Sequence, residues 1–370
     1  MSGPRPMLPD YGGGCLTSVV PALMAEDRGE FGPWLPAPAR GASQVALLVL
    51  DGLGWHQLQE RSDLAPTLSA MAGGAITSVT PTTTATALTS IVTGATPAEH
   101  GILGFKMHVG AGEVLNVLRW RTSAGDALET HPPSRFRALV PFAGETATAI
   151  VRSQFAGTGL TQVMLGGTRL RGWRVTSTIA VEVKRALAAG ERFVYAYYDG
   201  IDNVAHEFGL SEHYDAELAY VDGLVDRLLA ALPAGAALVV TADHGQVDVA
   251  SRRSKVAPDV AAMTSFISGE PRFLWLHAQP GIDPDELAAA ARGAHGHEAW
   301  VHTREDTIEQ GWFGGPLRSA WLERLGDVAL VAFEPTAFWD TEAHGELRLV
   351  SMHGSLTPAE MEVPLLAGRG

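Results

Sequence analysis

Cysteine is nearly missing: the 370 residues contain one, Cys15. No internal disulfide can form, and the fold does not depend on one. Charge is scarce too, at 18% of residues, and basic charge scarcer still. There are 27 Lys and Arg against 41 Asp and Glu, a formal net charge of −14. No run of Lys or Arg exceeds two residues. A nucleic-acid polymer or an anionic membrane is therefore a poor match as partner. Long hydrophobic runs are also lacking. The apolar stretch 45–50 is far too short to span a bilayer. The N-terminal region shows no charged segment followed by an unbroken apolar run, so no signal peptide is visible. These absences predict a cytoplasmic protein. We find no internal repeat and no long low-complexity segment. What is present is a hydrophobic fraction of 46%, enough for a large core and against extensive disorder.

The apolar residues fall in a pattern. Residues 1–42, rich in Gly and Pro, read as an irregular arm with a short helix near 16–25. Val45-Ala-Leu-Leu-Val-Leu50 is a continuous apolar run ending at Asp51-Gly52, which suits a strand buried on both faces. Residues 76–79, 147–151, 162–165, 193–198 and 237–241 read as further strands. Residues 86–92 and 179–189 read as helices. So does the series Leu218, Val221, Leu224, Val225, Leu228 and Leu229, spaced i, i+3, i+4. Alternation of this kind predicts an α/β fold with a mostly parallel central sheet flanked by helices. Residues 255–340 differ, with strands at 272–277, 299–302 and 328–333 and a helix at 284–293. The expected organisation is an arm over 1–42, a catalytic core over 43–254 and 341–370, and a small inserted α+β cap over 255–340. A second, irregular insertion falls at about 104–145.

Three acidic residues, Asp51, Asp202 and Asp243, stand at or just beyond the C-terminal ends of predicted strands. Open α/β sheets bind ligands in the crevice outside those ends. Any one of these residues alone reads as an ordinary turn. Gathered together, the carboxylates would repel unless a cation held them. Asp202-Asn-Val-Ala-His206 places a carboxylate and an imidazole on one face of a helical turn. Asp243-His244 offers adjacent oxygen and nitrogen donors, and His353-Gly354 a further imidazole. Such a mixed donor set suits two divalent ions, Zn²⁺ or else Mn²⁺, better than Mg²⁺. Three carboxylates against two divalent cations leave about one net positive charge, suited to a phosphoryl group.

The segment Thr80-Pro-Thr-Thr-Thr-Ala-Thr holds the nucleophile candidates. A metal-bound hydroxyl at the start of a helix is acidified by both. Threonine is also a common helix cap, and composition does not choose among Thr82, Thr83, Thr84 and Thr86.

Together these residues resemble the alkaline phosphatase superfamily, and within it the nucleotide pyrophosphatase/phosphodiesterase (type I phosphodiesterase) branch. The motifs are Val-Leu-Asp51-Gly52, then Pro81-Thr-Thr-Thr84 with Ile-Val-Thr-Gly94 and Pro97-Ala-Glu-His-Gly-Ile102. Asp202-x-x-x-His206-x-x-Gly209, Thr-Ala-Asp243-His-Gly245 and His353-Gly354 complete the set, over about 45–361. The resemblance implies that Thr84 is the metal-bound nucleophile. It implies one ion on Asp202, His206 and His353, and another on Asp51, Thr84, Asp243 and His244. It further implies a metal-dependent phosphoric ester hydrolase, a phosphodiesterase or nucleotide pyrophosphatase acting through a phospho-threonine on a small phosphate ester such as a nucleotide. Alternatives within the superfamily are a phosphomonoesterase or a phosphonate hydrolase. The alternative of another class is a non-catalytic phosphoryl-binding protein.

One departure affects substrate class. The family's phosphate-binding Asn, three positions after the nucleophile, is Ala87 here, and the neighbouring Pro is Thr86. Phosphate contacts then fall to the Thr84 N–H, Thr86 or Lys106. Asp199 is weighed as an orienting partner for a ligand imidazole. His100 and Glu99 read as structural, His277, His295 and His297 as non-ligands, and Tyr197, Tyr198, Trp275 and Trp312 as mostly core.

Overall fold

A computed structural model describes residues 4–249, 252–339 and 348–370. The central feature is a seven-stranded sheet. Its order is Ala72–Thr77, Glu362–Arg369, Ala236–Thr241, Gln44–Leu50, Phe193–Tyr198, Thr148–Arg152, Arg169–Trp173. Only Glu362–Arg369 runs against the others. The sheet is thus mixed and mostly parallel, flanked by helices, as the alternation predicts. Gln44–Leu50 lies near its centre, with Leu47 opposite Tyr195 on one side and Val239 on the other. Every residue from Val45 to Leu50 is buried. An unbroken apolar run is what such a doubly covered strand requires.

Two elements differ from expectation. The stretch expected as a strand at 162–165 belongs to the helix Gly159–Met164. Thr158 caps it by accepting from the Thr161 N–H, and Leu160, Val163 and Met164 bury one side of it. That i, i+3, i+4 spacing outweighs the local β-formers. The strand lies further on, at Arg169–Trp173, where two arginines hide the apolar signal. The strand Glu362–Arg369 was also not foreseen. Pro364, which lacks an N–H and so argues against a strand, sits within it opposite Ala75.

A second, antiparallel sheet orders Thr264–Glu270, Phe273–Ala278, Val328–Ala332 and Ala299–Thr303. Its side chains alternate between two cores. Phe273, Trp275, Trp300, Ala329 and Val331 join the apolar cluster of the main sheet. Leu274, Leu276, Val301, Val328 and Leu330 pack with Leu287, Ala288 and Ala291 of the helix Pro284–His295. The expected return from cap to core at 340–341 lies outside the described residues. Residues 106–126 carry four short strands that form a small sheet of their own.

Candidate metal centre

The main sheet delivers the acidic residues to one end. Asp51 directly follows Gln44–Leu50 and is still held by the ladder, its N–H donating to the Tyr198 carbonyl (2.9 Å). Gly52 turns the chain there with φ +75°, and a Cβ on it would lie 3.0 Å from the Asp202 Cα. Only glycine permits both the backbone angle and that approach. Asp202 and His206 sit on the helix Gly200–Phe208, which begins where Phe193–Tyr198 ends. Asp243 and His244 follow Ala236–Thr241. His353 follows the short strand Ser351–Met352, which pairs with Val247–Asp248. Thr84 is the first residue of the helix Thr84–Thr93.

These side chains converge. The His244 Nε2 lies 3.2 Å from Thr84 Oγ1, 3.4 Å from Asp51 Oδ1 and 3.6 Å from Asp243 Oδ2. Next to this group, Asp202 Oδ1 lies 3.3 Å from His206 Nε2 and 3.8 Å from His353 Nε2. The rings of His244 and His353 stack with centroids 3.5 Å apart. Two sets of donor atoms, Asp202–His206–His353 and Asp51–Asp202–His244, each fall within 4.8 Å of one another. Asp202 belongs to both, so the two clusters adjoin.

All three imidazoles are turned the same way. His206 Nδ1 donates to the Ser351 carbonyl (2.7 Å), His353 Nδ1 to Thr82 (2.8 Å) and His244 Nδ1 to Gly245 (3.1 Å). A carbonyl only accepts, so each Nδ1 carries the proton and each Nε2 keeps a free lone pair. That lone pair faces the carboxylates. Asp243 Oδ1 accepts from the N–H groups of Gly52 (3.1 Å) and His244 (3.0 Å). Its Oδ2 and the Oδ1 of Asp51 are buried with no hydrogen-bond donor among the described residues. Buried acceptors left open this way are costly unless something positive meets them. Burial, then the neighbouring Asp243 and Asp202, pushes the Asp51 carboxyl well above its usual range. Burial likewise raises Asp243. Burial, with His244 and His206 alongside, holds His353 well below the usual imidazole range. Acids that resist ionising, beside a base that resists protonation, fit a divalent cation.

Several neighbours were not foreseen. Tyr197, read as core, donates its hydroxyl to Asp51 Oδ2. Gln246 Nε2 donates to Asp202 Oδ1 (2.5 Å), and Ser351 Oγ donates to Gln246 Oε1 (3.0 Å). Gln246 follows Asp243-His-Gly directly, which was the available signal. Asp199 does not hold a ligand imidazole. It pairs with Arg152 (3.1 Å) and accepts from Asn203 (3.0 Å). Thr86 is fully buried, its hydroxyl enclosed without a partner among the described residues, so touching a substrate would require the chain to open. Lys106 stands partly buried in the 106–126 sheet, its Nζ 5.7 Å from the Phe105 ring centre.

A family model described as type I phosphodiesterase/nucleotide pyrophosphatase matches residues 45–356. The chain belongs to that family. Its place among the type I phosphodiesterases puts it in the alkaline phosphatase superfamily. No curated protein matches the sequence. Among solved structures, murine ectonucleotide pyrophosphatase/phosphodiesterase 5 is similar at 18% identity and a TM-score of 0.65, over 88% of each chain. An inactive threonine-to-alanine variant of that murine protein, in complex with AMP, matches at 17% identity and 0.65, again over 88% of each chain. Phosphonoacetate hydrolase from Sinorhizobium meliloti 1021, in complex with phosphonoformate, matches at 20% and 0.64, over 89% of this chain and 91% of the other. At such identities these likenesses establish the fold of this type I phosphodiesterase family member.

Proposed function

We propose that this chain is a two-metal phosphoesterase that cleaves a phosphodiester or pyrophosphate of a nucleotide-like small molecule through a phospho-threonine at Thr84. The observation that carries the proposal is the convergence of Thr84 Oγ1, Asp51 Oδ1 and Asp243 Oδ2 on His244 Nε2 at a helix N-terminus. Asp202, His206 and His353 would hold one ion, and Asp51, Thr84, Asp243 and His244 the other. Zinc is the ion this donor set fits best, with manganese the alternative. When bound, the ions supply charge that acidifies the Thr84 hydroxyl and neutralises phosphoryl oxygens.

The residues then divide the work. Thr84 Oγ attacks phosphorus in line, forming the Oγ–P bond as the bond to the leaving oxygen breaks. The positive end of the Thr84–Thr93 helix and the Thr84 N–H favour the phosphoryl charge. Water then attacks the phospho-threonine, releasing phosphate or its monoester and restoring the hydroxyl. Tyr197 and Gln246 keep Asp51 and Asp202 in place. The nucleotide-like substrate is supported by the murine relative bound to AMP.

Thr84→Ala tests the nucleophile. Turnover should fall roughly 1,000- to 10,000-fold, with fold and metal content kept. A near-normal rate would remove Thr84 from its role. A second reading, phosphonate cleavage, is supported by the likeness to a phosphonoacetate hydrolase. Rates on a nitrophenyl nucleotide diester, a nitrophenyl monoester and phosphonoacetate separate the three.

A further inference from the structure

Thr82 stands two residues before Thr84, and its side chain is fully buried. All three of its polar groups engage the loop that carries His353, through four hydrogen bonds. Its N–H donates to the Gly354 carbonyl (3.3 Å). Its carbonyl accepts from His353 Nδ1 (2.8 Å). Its Oγ1 donates to the Ser355 carbonyl (2.7 Å) and accepts from the Gly354 N–H (3.0 Å). A buried threonine ordinarily satisfies itself on its own helix or turn. Here every bond reaches across about 270 residues of chain.

The loop has another anchor. The Ser355 N–H donates to Glu360 Oε1 (3.0 Å), and Glu360 makes a buried two-pronged pair with Arg272 (2.7 and 2.8 Å). That anchor fixes the backbone beyond His353 but does not touch the imidazole. Gly354 cannot absorb a change easily. Its φ is +126°, and a Cβ would come 2.8 Å from Glu270 Cγ. The loop is therefore rigid, and the ring itself is aimed by Thr82.

We propose that Thr82 is a positioning residue that locks the His353 imidazole and the Thr84 hydroxyl into one frame. The inference rests on the two-metal reading above. Two residues of backbone separate the group that aims a ligand of one ion from the nucleophile expected on the other. The Thr82 hydroxyl thereby sets the spacing between the attacking oxygen and the ion held by Asp202, His206 and His353.

Thr82→Val keeps the side chain's shape and removes the hydroxyl, whereas Thr82→Ser keeps the hydroxyl. The full chain is stripped of metal and titrated with zinc against a chromophoric chelator. Then kcat and KM are read on a nitrophenyl nucleotide diester at saturating zinc. In Thr82→Val one of the two ions should bind about 10- to 100-fold more weakly, with the other within about 2-fold of wild type. At saturating zinc, kcat should fall about 10-fold or more with KM nearly unchanged, because alignment is lost rather than binding. Thr82→Ser should restore both. A Thr82→Val protein that melts earlier but binds both ions normally overturns the proposal, as does a Thr82→Ser protein equally defective. Wild type taking up fewer than two ions overturns the two-metal reading and this inference with it. Should Thr82→Val fail to fold, Gly354→Ala displaces the same loop from the other side. It must weaken the same single ion, and unchanged affinities there also refute the clamp.

Discussion

Five enclosed or half-enclosed histidines fall into two groups that differ in one nitrogen. His206, His244 and His353 each give Nδ1–H to a backbone carbonyl and leave Nε2 facing carboxylates. His100 and His295 have both nitrogens occupied by the protein. His295 Nδ1 meets Glu298 (2.9 Å) and its Nε2 accepts from the Ala257 N–H (3.1 Å). His100 Nδ1 accepts from the Ile102 N–H (3.1 Å), so its Nε2 donates to Ser90 (2.9 Å). Burial does not separate the two groups, since His100 and His244 are both almost fully enclosed. In the first group Nε2 meets only carboxylates and, for His244, the Thr84 hydroxyl, which leaves its lone pair open to an ion.

Exchanging one member of each group gives the largest contrast. His353→Ala should lower kcat/KM by about 1,000-fold or more and release one ion, because second-row support cannot replace a ligand. His295→Ala should leave turnover and metal content unchanged and cost about 1–3 kcal/mol of stability, since it orphans the Ala257 N–H. Metal analysis, kinetics and denaturant melts of both proteins decide it. Equal metal loss in the two would erase the distinction.

Metal removal is the next test. In the stripped protein Asp51 and Asp243 are raised carboxyls, so the folded state holds protons that the unfolded chain has released. Its stability should therefore fall as pH rises through and above the ordinary Asp range. Adding zinc to about 100 times its Kd should return roughly 2.7 kcal/mol and release protons. Thermal melts with and without chelator, and calorimetry in two buffers of different ionisation enthalpy, check both signs. A melting temperature indifferent to zinc would place the site histidines with the structural ones.

The last effect is confined to acid and concerns His100. Burial, with Arg324 nearby, depresses its imidazole to about 3. The folded state keeps it neutral while the unfolded chain protonates it near its ordinary value. Its contribution is thus present above about pH 6.5 and lost as pH falls toward 3, with a slope of at most about 1.4 kcal/mol per pH unit. His100→Asn, whose side-chain oxygen can still accept from Ile102, should flatten that limb of the stability profile without touching metal affinity. Urea melts at stepped pH values measure the slope.

The same division marks what a reader of the sequence can see. Asp51, Asp202 and Asp243 are legible because apolar runs stop at them, and a strand end in a parallel sheet has a known geometric meaning. His206 is legible from its spacing to Asp202. The carbonyls of Thr82, Gly245 and Ser351 carry no side-chain signature, so the orientation of the imidazoles is invisible before folding. Tyr197 escaped notice because an aromatic in a buried strand packs far more often than it donates. Its role follows from the register that sets it beside Val49, two residues from Asp51. The misread strand at 162–165 failed for a related reason. Four apolar-rich residues fit either period, and the capping Thr158 that settles the matter lies outside the run.

The second sheet carries a consequence for motion. Because Phe273, Trp275 and Trp300 sit in the same apolar mass as the strands beneath the site, that layer has no seam along which to swing. The two sheets share one core, so heat should take them together, in one calorimetric transition.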